Sequence, residues 1–484
     1  MNIKKVLLFV PPAITFRERR DINPLPPMGL GYLAAMLKSK DFDVTIFDSM
    51  VLGWEKEEKI DEQLVRVGLS NEEIKQYLNK EQPDVVGITC QFSRQQPVYD
   101  DMLTLIKTTL PSAIVAAGGA HATVCPEKLL ENKSCDYVIR GEGEESFLDF
   151  LNKLTRNEGL ESVDGLCWRN NDGVVINEKL GWITDLDSIP FPAYDAMNLE
   201  QYFGLEASHG LRHKNKYSPI ITSRGCPAKC TFCSAHKVWG RKYRLRSIEN
   251  VLAEMEFLKS KYGIEELMFE DDNVTANNKR AKGLFQGMID RKFSFVWDTP
   301  NGVGAWSLDE ELLDLMKASG CLKVNYPVES GSQRVLKKII KKPLDLDKTR
   351  RLILYSKRIG LDCGMFLVIG MPGETVQDIK QSFKYAADCH CFTPHISVAT
   401  PYPGTELYEW CQKNKYFAYE YRFEDLFIRS FMIQTPEWND KKLKKLLWQG
   451  MVYLKFKQAC HNPSATFRWL VNRVKRSLTL MRSS

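Results

Sequence analysis

The chain has 484 residues, 44% hydrophobic and 26% charged, and its 67 Lys and Arg exceed its 61 Asp and Glu by six. That length predicts two or three domains rather than one, and the composition is that of a globular protein in water, which excludes a fibrous or disordered chain. The small positive charge permits an anionic partner, but no segment has the dense basic and aromatic pattern of a nucleic-acid module, so no DNA partner is expected. Thirteen cysteines, scattered and odd in number, together with the absence of a secretory apolar region after Met1, predict a cytoplasmic protein without a disulfide framework. No run of about eighteen apolar residues offers a membrane span.

From the start, short apolar runs alternate with amphipathic ones. Val6-Leu-Leu-Phe-Val10 reads as a buried strand, Gly29 to Leu37 as a helix and Val44-Thr-Ile-Phe47 as the next strand. Val85-Val-Gly-Ile-Thr89, a helix over 98–110, Ile114-Val-Ala-Ala117 and Tyr137-Val-Ile139 continue the rhythm. It predicts a doubly wound parallel sheet over residues 1–155, with ligands beyond the carboxyl ends of the strands. Small or polar residues gather at those ends: Pro11-Pro12, Thr89 to Ser93, Gly118-Gly-Ala-His121-Ala-Thr123 and Gly141-Glu-Gly-Glu144.

Residues 156–200 form a connecting region. Gly165-Leu-Cys-Trp168 and Val174-Val-Ile176 flank an Asp-Gly turn and predict a hairpin, and Leu186 to Tyr194 is a proline-rich linker. Over 201–415 the β-α alternation resumes, with strands expected at Ile220–Ser223, Leu267–Asp271, Phe293–Trp297, Val324–Val328, Met365–Ile369 and Ile396–Ala399. Helices are expected between them near 248–260, 276–289, 309–318, 346–358, 376–387 and 405–413. Six such units predict a partial (β/α)6 barrel of the TIM type, with its chemistry at the carboxyl ends of the strands. A helical segment, 416–484, closes the chain, with helices expected at Asp440–Cys460 and Ser464–Leu480. The last of these has an apolar face and a basic remainder. Such a helix either packs on the barrel or lies on a membrane surface, which would make the protein peripheral to the inner face of the membrane.

Directly after the first barrel strand stands Cys226-Pro-Ala-Lys-Cys230-Thr-Phe-Cys233, a C-x3-C-x2-C run that a compact turn folds into one concave pocket. Three soft thiolates suit an iron–sulfur cluster with one iron left open, or zinc with His236 as a fourth ligand. Polar residues at the other strand ends face the same opening: Glu270-Asp-Asp-Asn273, Glu329-Ser-Gly-Ser332, Gly370-Met-Pro-Gly-Glu-Thr375 and Pro401-Tyr-Pro-Gly-Thr405. Taken singly, the acidic residues read equally as caps or salt-bridge partners, and the glycines as turn residues.

The cysteine run resembles the cluster motif of the radical S-adenosylmethionine (SAM) superfamily. Pro24 to Leu33, Gly118-Gly-x-His121-x-Thr123-x-x-Pro126-Glu127 and Asp136-x-Val-x-x-Gly141-Glu-Gly-Glu144 form an ordered set. That set is similar to the B12-binding domain of the cobalamin-dependent branch. The resemblance implies a [4Fe–4S] cluster on Cys226, Cys230 and Cys233, with SAM on the open iron. It places Phe232, Glu270, Asp271, Asp272, Glu329, Ser330, Gly370 and Pro401 around SAM. It also places Pro11, Thr89, Gln91, Ser93, Gly118, Gly119, His121, Thr123, Gly141, Glu142 and Gly143 around cobalamin. The Asp-x-His-x-x-Gly motif that supplies an axial histidine in mutase-type domains is absent, and His121 stands in a different loop, read as a cobalamin contact or a structural histidine. The superfamily's Gly-Gly-Glu after the second strand is here Phe-Glu-Asp-Asp.

The activity so implied is methyl transfer from methylcobalamin to an unactivated carbon after hydrogen abstraction by a 5′-deoxyadenosyl radical. The substrate would be a small or lipid-like molecule, and flavodoxin or ferredoxin would supply electrons. A non-methylating oxidative cyclase of the Mg-protoporphyrin monomethyl ester type shares the domain order. An RNA methylthiotransferase would need a second cluster, for which only Cys90, Cys125 and Cys135 could be counted. A cobalamin carrier with a structural metal is the non-enzymatic alternative. Tyr326, Cys321 and Cys363 are expected in the barrel, as core residues or lining its interior.

Overall fold

The computed structural model describes residues 3–464 apart from 19, 23, 206–211 and 428. Five parallel strands open the chain, at Lys5–Val10, Asp43–Asp48, Val85–Thr89, Ile114–Gly118 and Tyr137–Ile139. Across the sheet they run second, first, third, fourth, fifth. This flavodoxin-like order reverses beside the first strand and leaves a crevice at the carboxyl ends. The strands are almost uninterrupted apolar runs because both faces are covered. Leu7 and Phe9 pack toward helices Asn71–Glu81 and Gln96–Thr109, while Val6 and Leu8 pack toward helices Met28–Lys38 and Glu144–Arg156.

The hairpin Leu166–Asn170 and Gly173–Ile176 joins this sheet, with Trp168 opposite Tyr137 in antiparallel register. It is therefore the edge of the first domain rather than part of the connector. A small antiparallel sheet, Ala13–Phe16, Leu64–Val67 and Glu57–Lys59, has no counterpart in the sequence reading. Its outermost strand is Glu-Glu-Lys and fully exposed, so it carries no apolar alternation to read.

Six further strands, Tyr217–Ile220, Glu266–Phe269, Val296–Asp298, Cys321–Glu329, Asp362–Ile369 and His395–Val398, pair in parallel in chain order to form the partial barrel. A helix follows each: Ile248–Phe257, Asn278–Asp290, Glu310–Ala318, Leu346–Arg358, Val376–Asp388 and Glu406–Asn414. Each of these helices starts at a side chain that accepts from a backbone N–H of the first turn: Ser247, Asn277, Asp309, Asp345, Thr375 and Thr405. Each cap contributes about 1 kcal/mol and sets where the chain leaves the strand-end loops. Tyr326 is fully buried, and its hydroxyl meets Ser356 of the following helix at 2.6 Å, so it packs outward into the helical layer.

Beyond the barrel, the turn Phe423–Asp425 packs on the first domain, with the Phe423 ring 5.4 Å from that of His121. Helix Asp440–His461 lies along Val376–Asp388, close enough that a side chain at Gly450 would strike Phe383. The expected helix Ser464–Leu480 falls, from 465 onward, outside the described residues. Among the described residues no helix is long and apolar enough to cross a membrane.

Candidate active site

The cysteine loop is built where the sequence places it, at the end of the first barrel strand. Asp271, at the end of the second strand, accepts from the Thr222 amide and hydroxyl (2.8 Å to the latter) and from the Ser223 hydroxyl. Gly225 has φ +83°, and a Cβ there would lie 2.5 Å from the Lys242 carbonyl, so only glycine makes this turn. Thr231 donates to the Ile340 and Ile339 carbonyls at 3.0 and 3.1 Å, and its own carbonyl accepts from Leu407 at 2.8 Å. The loop is thus clamped from three sides, with its thiols half-buried.

Burial pushes the Cys230 thiol up to about 11 and the Cys233 thiol up to about 12, with the neighbouring thiols adding to both shifts. Among the described residues no three His, Cys, Asp or Glu side chains stand at single-ion spacing. Three thiols on one loop are the donor set of an iron–sulfur cluster. Lys342 supplies a counter-charge: burial opposes its charge, but Glu329, 2.8 Å away, and the nearby Cys230 and Cys226 outweigh that and raise its pKa.

The acidic residues of the mouth divide by what they already hold. Asp271 is spent on the cysteine loop. Glu270 accepts from Asn301 at 3.1 Å. Asp272 is half-buried, its enclosed Oδ2 has no partner, and desolvation followed by repulsion from Asp271 raises its pKa to about 6. Glu329 takes a left-handed φ of +67° and pairs with Lys342. Ser330 turns toward Ser382 at 3.3 Å and accepts from the Ser332 amide, so its hydroxyl faces the protein. Gly370 has φ +87° and is covered by Leu443 and Trp438, and its amide donates to Glu374. The Pro401 carbonyl accepts from Tyr421 at 3.0 Å, and Phe232 packs against the barrel core.

In the first domain a cleft opens at the switch point, with about 920 Å³ of empty space counting the part open to solvent. Leu8, Leu30, Leu33, Gly87 and Phe147 form its apolar floor, and Thr89, Gln91, Gly118, Gly119, Gly141, Glu142 and Gly143 its rim. Ile221, Val238 and Trp239, flanking the cysteine loop, complete the wall. A side chain at Gly29 would meet nothing within 4 Å, and one at Gly118 only a carbonyl at 3.8 Å. The missing side chains are therefore room.

Four of the expected cobalamin contacts do not line it. Pro11 is buried elsewhere. Ser93 and Gln96 hold the two ring nitrogens of His121, 2.9 Å from Ser93, and burial lowers the His121 pKa to about 4. Both ring nitrogens are thus engaged within the loop, the arrangement that the structural reading of His121 calls for. Thr123 donates to Gly119 and accepts from the Gly141 amide, both at 2.8 Å, and so ties two rim loops together. Of the floor residues, Leu30 and Leu33 fall in the Pro24–Leu33 stretch of the B12-like set, whereas Leu8, Gly87 and Phe147, like Lys342, were not singled out from the sequence. Gly87, a lone glycine inside a strand, is the one signal that could have pointed there.

Two family models match, "B12 binding domain" over residues 23–151 and "Radical SAM superfamily" over 220–386. Cytidylyl-2-hydroxyethylphosphonate methyltransferase of Streptomyces wedmorensis is 35% identical over 478 residues, covering 92% of this chain and 88% of that one. The chain belongs to the cobalamin-dependent radical SAM family. This radical SAM enzyme sides with methyltransferases. The anaerobic magnesium-protoporphyrin IX monomethyl ester cyclase of Rubrivivax gelatinosus is more distant, 26% identical over 79% of this chain and 66% of that one. In fold the enzyme is similar to TsrM from Kitasatospora setae, solved with cobalamin and a [4Fe-4S] cluster bound, at TM-score 0.68 and 18% identity over 87% of this chain and 80% of that one. Its cofactors are a [4Fe–4S] cluster, SAM and cobalamin. The cysteine triad fits the first, and the apolar, glycine-opened cavity fits the flat ring systems of the last. Cys90 and Cys135 are fully buried in the core of the first domain, which leaves the methylthiotransferase reading without a second cluster.

Proposed function

We propose that this enzyme places a methyl group on an unactivated carbon of a small molecule held between the cavity rim and the cysteine loop. The observation that carries this reading is the shared wall: Gly118 and Gly141 of the first domain and Val238 and Trp239 beside the cysteines line one cavity. When bound, the cofactors supply the radical and the methyl group. The chain supplies position and exclusion of water. Cys226, Cys230 and Cys233 would hold the cluster, with Lys342 offsetting thiolate charge. Asp272, whose enclosed Oδ2 has no partner, would accept from the SAM ammonium, and Glu329 would serve the ribose side. The backbone at Gly370 and Pro401 would flank adenine. Thr89, Gln91 and the glycine rim would contact cobalamin.

The substrate of the Streptomyces relative is the first to test. Flavodoxin or ferredoxin is the electron donor we propose. Contact with a membrane face, in an enzyme we place in the cytoplasm, is supported by exposed Trp448, Val452 and Phe456, four residues apart on helix Asp440–His461 among lysines 441, 444, 445, 455 and 457.

The test uses anaerobically reconstituted enzyme with hydroxocobalamin, SAM, a strong reductant and candidate substrate, and mass spectrometry of the SAM products. Both 5′-deoxyadenosine and S-adenosylhomocysteine are expected. 5′-Deoxyadenosine alone would transfer the reading to a cyclase-type reaction. Cys230→Ala should remove the brown chromophore and all 5′-deoxyadenosine, and retention of both would refute the cluster assignment.

A further inference from the structure

Arg224 stands two residues before the first cluster cysteine, yet its guanidinium reaches into the other domain. It donates to Glu142 Oε1 at 3.0 Å and to Glu144 Oε1 at 2.6 Å. Arg244, on the strand paired with the Arg224 strand, donates to both oxygens of Glu142 at 2.8 Å and to the Ile183 carbonyl at 2.6 Å. The Ile183 amide in turn donates to Glu142 Oε2 at 3.1 Å. Tyr32 and Trp239 stack on Arg224, each ring centroid 5.0 Å from its Cζ. Two arginines and two glutamates are thus buried with balanced charge, each side chain 5% exposed or less. Glu142 was expected to contact cobalamin, but its carboxylate is committed to the arginines.

We propose that Arg224 is a positioning residue that sets the distance and orientation between the cobalamin loop and the cluster loop. The inference rests on the proposed function, since it assumes both cofactors bind at these loops. The rim loop turns at Gly141, φ +71°, and the cysteine loop at Gly225, φ +83°; Thr123 ties the first and Asp271 and Thr231 the second, each within its own domain, so these ties do not set one loop against the other. A planar fork that bonds two carboxylates at once fixes direction as well as distance, which a single-point charge such as lysine does not. Because the fork is buried, water cannot replace either bond without opening the domain interface. A methyl group carried by one loop and a radical generated at the other must meet one substrate carbon, and small misplacement is costly in such a geometry.

The test measures the dipolar coupling between cob(II)alamin and the reduced cluster by pulsed EPR in the reconstituted holoenzyme, with no substrate needed. Arg224→Met should retain iron and cobalamin at wild-type stoichiometry but broaden the distance distribution at least about twofold, and Arg224→Lys should restore it only in part. With substrate, the ratio of 5′-deoxyadenosine to S-adenosylhomocysteine should rise several-fold as radical formation loses its target. Should Arg224→Met fail to fold, the charge-balanced Arg224→Met/Glu144→Gln variant leaves Glu142 paired with Arg244 and carries the same expectation. A wild-type distribution in a variant that holds both cofactors overturns the proposal. Failure of the wild-type protein to take up cobalamin would instead overturn the function on which it rests.

Discussion

Lys342 Nζ lies 2.8 Å from Glu329 Oε1, both side chains are buried, and the pair sits beside the cluster thiols at the end of the fourth barrel strand. Trp306 covers the ammonium, its ring centroid 5.9 Å away. Nothing in Ile339-Ile-Lys-Lys-Pro343 distinguishes the second lysine from the first, yet Lys341 is exposed on a surface pair with Glu406 while Lys342 turns inward. Removing one partner of a buried pair leaves the other charge without solvent. Lys342→Met should therefore cost about 3–5 kcal/mol in the apoprotein. Lys342→Met/Glu329→Gln should recover most of that while still weakening cluster retention. Denaturant titration and iron analysis read both effects, and an unchanged midpoint in the single variant would contradict the pairing.

The cavity makes a prediction that separates room from fold. Gly118 lines open space, whereas Gly119 has φ +106° and its Cβ would meet the Cys90 carbonyl at 2.7 Å. Gly118→Leu should fold and fill the cavity, weakening cobalamin retention at least tenfold, about 1.4 kcal/mol. Gly119→Leu should lose stability as well. Absorbance of corrin after desalting, beside thermal melting, distinguishes them. Full cobalamin retention in a folded Gly118→Leu protein would move the cobalamin site elsewhere.

His121 bonds Ser93 and Gln96 and stays neutral well below pH 6. The cob(II)alamin EPR spectrum of the holoenzyme should therefore show no axial nitrogen from it, and His121→Ala should leave that spectrum unchanged. The substitution should cost about 1–3 kcal/mol, because Ser93 and Gln96 lose a buried partner. Nitrogen superhyperfine structure that disappears in the variant would show His121 to be an axial ligand.

Glu374 couples stability to pH. Burial raises its pKa to about 8, against an ordinary 4.5, despite the amides of Gly370 and Met371 that donate to it. The native state therefore keeps a proton that the unfolded chain has released. Its contribution is fully present below about pH 4.5 and is lost as pH rises through about 8, at up to about 1.4 kcal/mol per pH unit between them. Glu374→Gln should flatten the fall in apoprotein stability from pH 6 to 8. An equal slope in both proteins would mean that Glu374 is ionised in the fold.

Much of the architecture was legible in the sequence because it rests on local terms. Short apolar runs separated by amphipathic helices specify both β-α halves before any long-range contact forms, and in the barrel each of the six helices is begun by Ser, Thr, Asn or Asp. The C-x3-C-x2-C spacing likewise puts three thiols on one short loop, although Asp271, Ile339, Ile340 and Leu407 hold that loop in place. What each polar residue at the strand ends does was not legible, because one acidic side chain looks like another until its neighbours are known. Only the tertiary structure committed Asp271 to Thr222 and Ser223, Glu142 to two arginines and His121 to Ser93 and Gln96, leaving Asp272 with a free oxygen. Partners of these groups lie up to 102 residues away, as for Glu142 and Arg244. Burial of charge, which decides whether a carboxylate holds the fold or is free for a ligand, is a property of the packed chain alone.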